Sequence, residues 1–188
     1  MPLLSLNSWS LHRNLGPLRI TRWNESSGKP SDDFLEYPQT LTLLELPGVL
    51  AEMGFQALEI TIHNIPDSSG SYAAKLREAF EKSGIVFFSL LIDYGDISSP
   101  DPVRRDADKE YIRQWIDFAW QAGAVRARIV AGESDSHDLE ALSRAAAQLR
   151  ELVPYARKKG VRLLTENYMN LASTAENCLY LVEQLGDD

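Results

Sequence analysis

Hydrophobic positions along the chain follow two alternating rhythms. Short apolar runs cover residues 3–9, 57–63, 86–93, 125–132 and 161–166. The third, Val86-Phe87-Phe88-Ser89-Leu90-Leu91-Ile92, is almost wholly apolar, as expected of a strand covered on both faces in a parallel sheet. Between the runs the period changes to that of a helix. Over residues 104–122, Ile112, Trp115, Ile116, Ala119 and Trp120 fall on one stripe. Over residues 138–159, Leu139, Leu142, Ala146, Leu149, Leu152 and Val153 do the same, and Pro154 predicts a kink or break. A last helix is expected to start near Ser173, where Ser173-Thr174-Ala175-Glu176 fits a capping box. Gly54, Gly84, Gly123, Gly160 and Gly186 close successive helical segments, spaced by about one strand–helix unit.

Strands alternating with helices mean an α/β fold with a parallel sheet. Two architectures satisfy the pattern. One is a five-stranded doubly wound sheet. The other is a (β/α)₈ TIM barrel, which takes about 250 residues; the 188 residues here would hold its first five βα units. The doubly wound option lacks its usual chemistry, since no Gly-x-Gly-x-x-Gly and no Gly-Lys-Ser/Thr follows the first strand. Leu185-Gly186-Asp187-Asp188 reads as a helix end with its glycine, where a sixth strand would begin. In the barrel, consecutive strands are neighbours. Residues 1–188 then form one partial barrel domain, with residues 13–44 as a single long loop between the first strand and the first helix.

Composition narrows the function classes. Hydrophobic residues make up 44% and charged residues 24%, enough to build a packed core. The net charge of -8 removes the basic footprint of a nucleic-acid binder. No 18-residue apolar run is present, so no membrane span is expected. The first residues carry no basic n-region, and Cys178 is the lone cysteine, which together predict a cytoplasmic location.

In both architectures ligands bind at the carboxyl ends of the strands. Those ends carry Trp9 and His12, then His63, then Asp93 and Asp96, then Glu133, then Glu166. Glu166 follows Leu163-Leu164-Thr165, so its charge near the sheet end needs a metal ion or an Arg or Lys partner. His63 has a plainer reading as a satisfied strand-end group. Asp93 and Asp96 bracket Tyr94-Gly95, where Asp often caps backbone amides. Glu133 reads more simply as a solvated carboxylate, and Trp9 and His12 as core or loop packing groups. The 13–44 segment contributes Arg19, Arg22 and Lys29 and is long enough to serve as a lid over the strand ends.

Several stretches together resemble the xylose isomerase-like TIM-barrel superfamily, in its sugar phosphate isomerase/epimerase branch. They are Ser8-Trp9-Ser10-Leu11-His12-Arg13, Leu44-Glu45-Leu46-Pro47, Leu58-Glu59-Ile60 with His63, Leu90-Leu91-Ile92-Asp93 with Gly95-Asp96-Ile97, and Leu164-Thr165-Glu166-Asn167. The resemblance implies the barrel. It also implies a sugar isomerase or epimerase acting by proton transfer next to a sugar carbonyl, with a divalent cation (Mn²⁺, Mg²⁺, Co²⁺ or Zn²⁺) as Lewis acid. Glu166 matches the family's strand-five metal ligand and is the implied catalytic carboxylate. His63 is the second implied catalytic group, and Trp9, His12, Asp93, Asp96 and Glu133 are the implied substrate contacts. The remaining family ligands belong to strands six to eight, expected beyond residue 188. Relatives often carry a His two residues after the strand-five Glu, whereas this chain has Tyr168. The implied partner is a sugar or sugar phosphate, with neither nucleic acid nor membrane, and with self-association of the chain allowed. A non-catalytic domain on the same scaffold is the competing reading, and an AP endonuclease a distant third.

Overall fold

The computed structural model describes residues 3–186. Asp187 and Asp188, which follow the helix-closing Gly186, lie outside the described residues. In chain order the strands are β1 (Ser5–Asn7), β2 (Leu18–Asn24), β3 (Lys29–Leu35), β4 (Ala57–Thr61), β5 (Val86–Ile92), β6 (Arg126–Ile129) and β7 (Arg162–Leu164). The helices are α1 (Leu46–Glu52), α2 (Gly70–Ser83), α3 (Pro102–Ala122), α4 (Leu139–Lys158) and α5 (Ala175–Leu185).

Five strands form one sheet in the order β1-β4-β5-β6-β7, with every pair parallel. Chain order is therefore spatial order, as in the wall of a barrel. A doubly wound sheet would place its first strand in the interior, and here that strand is at an edge. Helices follow the strands in the same order, each touching the next from α1 to α5. Left-handed glycines at φ 71° and 82°, Gly84 and Gly123, close α2 and α3 and turn the chain back into the sheet.

Alternation along the strands separates two faces. Leu58, Ile60, Leu90, Ile92, Ala127 and Ile129 are buried in the core with Ile112, Ile116, Leu142 and Leu149 from the helices. Burying one such Leu or Ile contributes about 1.5–3 kcal/mol. The opposite face carries Asn7, Glu59, Thr61, Ser89, Asp93 and Arg128, so the barrel's inner wall is polar toward the strands' carboxyl ends.

The strands end earlier than the apolar runs predict. The Asn7 side chain accepts from the Trp9 amide, and the Thr61 side chain accepts from the His63 amide. Each cap diverts the chain into a 3₁₀ turn, over residues Ser8–Asn14 and Ile62–Asn64. The expected break at Pro154 does not occur, because α4 runs through it to Lys158. Leu149, Leu152 and Ala156 stay buried on either side, and that packing outweighs the lost backbone bond. The last helix is capped by Thr174, which accepts from the Asn177 amide, rather than by Ser173.

Residues 13–44 are not one loop. Their middle is an antiparallel hairpin, β2 against β3, turned through residues 25–28. Its inner anchor is Arg19, which is buried and ion-paired to Asp32. The same guanidinium donates to the carbonyls of Ile65 and Pro66 at 3.2 and 3.3 Å. Thr21 bonds the Tyr111 hydroxyl at 2.8 Å. These contacts hold the hairpin against the turn after β4 and against α3, on the carboxyl side of the sheet.

Candidate active site

A cavity of about 240 Å³ opens at the carboxyl ends of the strands, lined by Asn7, Trp9, Thr61, His63, Leu91, Asp93, Arg128 and Tyr168. Arg128 organises it. Its Nη2 lies 2.6 Å from Asp93 Oδ1 and its Nε 3.4 Å from Glu166 Oε1. Asp93 also accepts from the Thr61 hydroxyl at 2.6 Å. The guanidinium carbon lies 5.2 Å from the Tyr168 ring centre, and Nε and Nη1, both buried, have no hydrogen-bond partner among the described residues. One level deeper, Glu59 pairs in register with Ser89. Burial pushes the Glu59 carboxyl up, the Glu166 charge adds to the rise, and Arg128 opposes it.

The aromatic side of the cavity is a cluster. Trp9 stacks on His12 with ring centres 4.5 Å apart, and the Trp9 and His63 rings are 5.9 Å apart. His63 Nδ1 lies 2.6 Å from the Arg19 carbonyl oxygen. A carbonyl only accepts, so Nδ1 carries the proton and Nε2 of the neutral ring is left as an acceptor.

A second cavity of about 240 Å³ shares Asp93 as a common wall. It lies between Trp23 of the hairpin, Tyr94 and Gly95 after β5, Arg104 of α3, and Glu133 and Met169. Arg104 donates to Glu133 at 2.7 Å and lies 3.9 Å from Asp96 and 3.5 Å from Asp108. Asp108 is fully buried and accepts from the Tyr94 hydroxyl at 2.8 Å and the Asp96 amide at 2.9 Å. Asp96 turns inward, accepting from the amides of Ser98 and Glu133. Gly132 allows this close approach, because a Cβ there would overlap the Ser98 hydroxyl.

The seven residues expected from the sequence therefore divide. Trp9, His63 and Asp93 line the first cavity, Glu166 stands at it through Arg128, and His12 stacks behind Trp9. Glu133 lines the second cavity, and Asp96 braces its loop. Sequence reasoning missed Asn7, Thr61, Arg128 and the second cavity. The signal for Arg128 was present in Arg126-Ala127-Arg128-Ile129, where charges occupy alternate positions of a strand. Glu59 and Thr61 show the same alternation in β4.

The residues present do not make a metal centre on their own. Among the described residues no group of three His, Cys, Asp or Glu side chains could hold a metal ion. Glu166 is half-exposed and stands beside a guanidinium, which competes for its charge. No helix among the described residues is long and apolar enough to cross a membrane.

A family model for the xylose isomerase-like TIM barrel matches residues 48–188. A solved L-ribulose 3-epimerase is 19% identical, with a TM-score of 0.68, covering 100% of this chain and 58% of its own. A D-psicose 3-epimerase in the presence of D-fructose is 18% identical, with a TM-score of 0.63, covering 79% and 56%. A probable 3-DHS dehydratase from Bacillus anthracis, involved in petrobactin synthesis, is 15% identical, with a TM-score of 0.68, covering 98% and 59%. The chain thus spans less than two thirds of the length of each of these structures. No curated protein matches the chain.

Proposed function

The chain belongs to the xylose isomerase-like TIM barrel family, and on that premise we propose that it is a sugar isomerase or epimerase working by proton transfer next to a sugar carbonyl. The observation that carries this reading is the convergence of five strand ends on one polar and aromatic cavity, with Glu166 beside its Arg128. Two of the similar structures are of sugar 3-epimerases, which supports the same class.

In this reading Glu166 removes the proton from the carbon beside the carbonyl. The electron pair moves onto the carbonyl oxygen, giving an enediolate; a proton returned to the neighbouring carbon completes an isomerisation, and one returned to the opposite face of the same carbon completes an epimerisation. Arg128 fixes the direction of Glu166 from below and ties it to Asp93. His63 Nε2 accepts from a sugar hydroxyl, and Asp93 accepts from another. Trp9, with His12 behind it, covers the apolar face of the sugar ring. A divalent cation would polarise the carbonyl and hydroxyl oxygens. Glu166, which matches the family's strand-five ligand, would be this chain's contribution to holding it.

A non-catalytic sugar-binding domain is the second reading. It is favoured by the pairing of both Asp93 and Glu166 with Arg128, which leaves neither carboxylate unopposed. Deuterium uptake separates the two. The chain, incubated in D₂O with D-fructose or D-psicose and with Mn²⁺, Mg²⁺, Co²⁺ or Zn²⁺ in turn, should place deuterium beside the carbonyl. Glu166→Gln should abolish the uptake while leaving the circular dichroism spectrum unchanged. Binding without uptake would favour the second reading, and uptake that persists in Glu166→Gln would remove Glu166 from its role.

A further inference from the structure

The second cavity bears on what the far end of the ligand can be. Asp93 borders both cavities, which sets the second, with Trp23, Arg104 and Glu133, on the far side of Asp93 from the first. Arg104 is the cation best placed to receive an anionic group there. It is already surrounded by Glu133, Asp96 and Asp108. Counting Asp108 as neutral still leaves two carboxylates on one guanidinium.

The neighbouring cations are paired too, although Arg22, which also lines the second cavity, is paired only at the exposed surface. Arg128 faces Asp93 and Glu166, Arg22 is paired with Asp33 at 3.0 Å, and Arg19 with Asp32. The helices that begin around this rim each have one first-turn amide already taken by a cap. Ser69, Asp101, Asp138 and Thr174 cap the starts of α2, α3, α4 and α5 with their own side chains.

We propose that the second cavity receives the distal hydroxyl end of an uncharged sugar, and that Glu133 is the specificity-determining residue that excludes a phosphate by holding Arg104. This rests on the reading of the first cavity as a sugar site. Glu133 Oε2 accepts the shortest of the Arg104 contacts, at 2.7 Å, and its side chain is the most exposed of the three carboxylates around that guanidinium. It is therefore the one a ligand phosphate would have to displace. A sugar hydroxyl needs no displacement, since it donates to Glu133 and accepts from Arg104 with the pair intact. A phosphate brings about two negative charges into a site already short of positive charge, and like-charge contact of this kind selects against the wrong ligand.

Glu133→Gln tests the assignment, because the amide keeps the size and releases Arg104. Inorganic phosphate binding, measured by calorimetry on the full chain, should tighten about tenfold or more in Glu133→Gln. The double variant Glu133→Gln with Arg104→Gln should lose that gain. D-fructose 6-phosphate should bind wild type at least about tenfold more weakly than D-fructose, and the gap should close in Glu133→Gln. Circular dichroism and the melting midpoint check that each variant is folded; Glu133→Ser repeats the test if Glu133→Gln is not. Tighter binding of the 6-phosphate than of the free ketose to wild type overturns the proposal, as does unchanged phosphate affinity in both Glu133 variants. If neither ketose binds but the phosphate gain appears and depends on Arg104, the filter stands and the sugar reading of the first cavity falls.

Discussion

Arg128→Met tests the electrostatic organisation of the site most directly. The side chains of Arg128 and Asp93 are 9% and 12% exposed, and they meet at 2.6 Å. Methionine fills much of the arginine's volume but leaves Asp93 with the Thr61 hydroxyl as its remaining partner. Removing one partner of a buried pair costs about 3–5 kcal/mol, because the survivor keeps its desolvation penalty. The contact with Glu166 adds little, since that carboxylate is half-exposed and screened. At about 2–4 °C per kcal/mol for a domain of this size, the melting midpoint should fall by roughly 6–20 °C. Asp93→Asn in the same chain should restore at least half of the loss, because the amide removes the stranded charge and still accepts from Thr61. Thermal unfolding of wild type, both single variants and the double variant closes the cycle. A drop below about 2 °C for Arg128→Met, or a double variant no better than the sum of the singles, would refute the argument.

Three further outcomes follow from the same structure. Burial holds the Asp108 carboxyl above its ordinary value of 3.8, against the pull of the Asp96 amide, the Tyr94 hydroxyl and Arg104. The folded chain thus binds that proton more tightly than the unfolded chain, and the contribution is fully present below pH 3.8 and lost as pH rises through the raised value. Asp108→Asn should flatten this part of the curve of denaturation midpoint against pH, and a curve parallel to wild type would contradict the assignment. Gly132→Ala should cost about 1–3 kcal/mol in urea unfolding, since its Cβ overlaps Ser98 and lies 3.0 Å from Leu171 Cδ2; an unchanged midpoint would show that the loop yields freely. Thr174→Ala removes the cap from α5 and should cost about 1 kcal/mol, whereas Ser173→Ala should cost little, the reverse of what the capping-box reading implies.

The parallel order of the sheet was legible because Val86–Ile92 is a nearly continuous apolar run and Ile112, Trp115, Ile116 and Ala119 keep a helical period, although Trp120 at the end of that stripe is exposed. The strand ends were less legible. Asn7 and Thr61 look like ordinary strand residues until their side chains take backbone amides two residues on, which is local chemistry that hydrophobic periodicity does not register. The hairpin was hidden by composition. Leu18-Arg19-Ile20-Thr21-Arg22-Trp23 alternates as a strand should, but its partner, Lys29-Pro30-Ser31-Asp32-Asp33, reads as loop because its side chains are exposed. The acidic groups of the site could be named from their positions at strand ends. Their partner Arg128 left only the alternating charges of Arg126 and Arg128 as a signal, and its role shows once Asp93 and Glu166 are seen to lie on either side of it.

The exposed strand of the hairpin has a consequence for how copies of this chain meet. A bare strand invites a second strand to pair with it. Along β3, Pro30 has no amide to donate, and the exposed Asp33 puts a carboxylate beside any strand that approaches. Asp32 and Asp33 are both tied back to arginines of β2, so the strand is held straight while its outer rim stays inhospitable. Asp33 thus both fastens the hairpin and, with Pro30, acts as a gatekeeper against aggregation, so that the ribbon does not become a template for other chains.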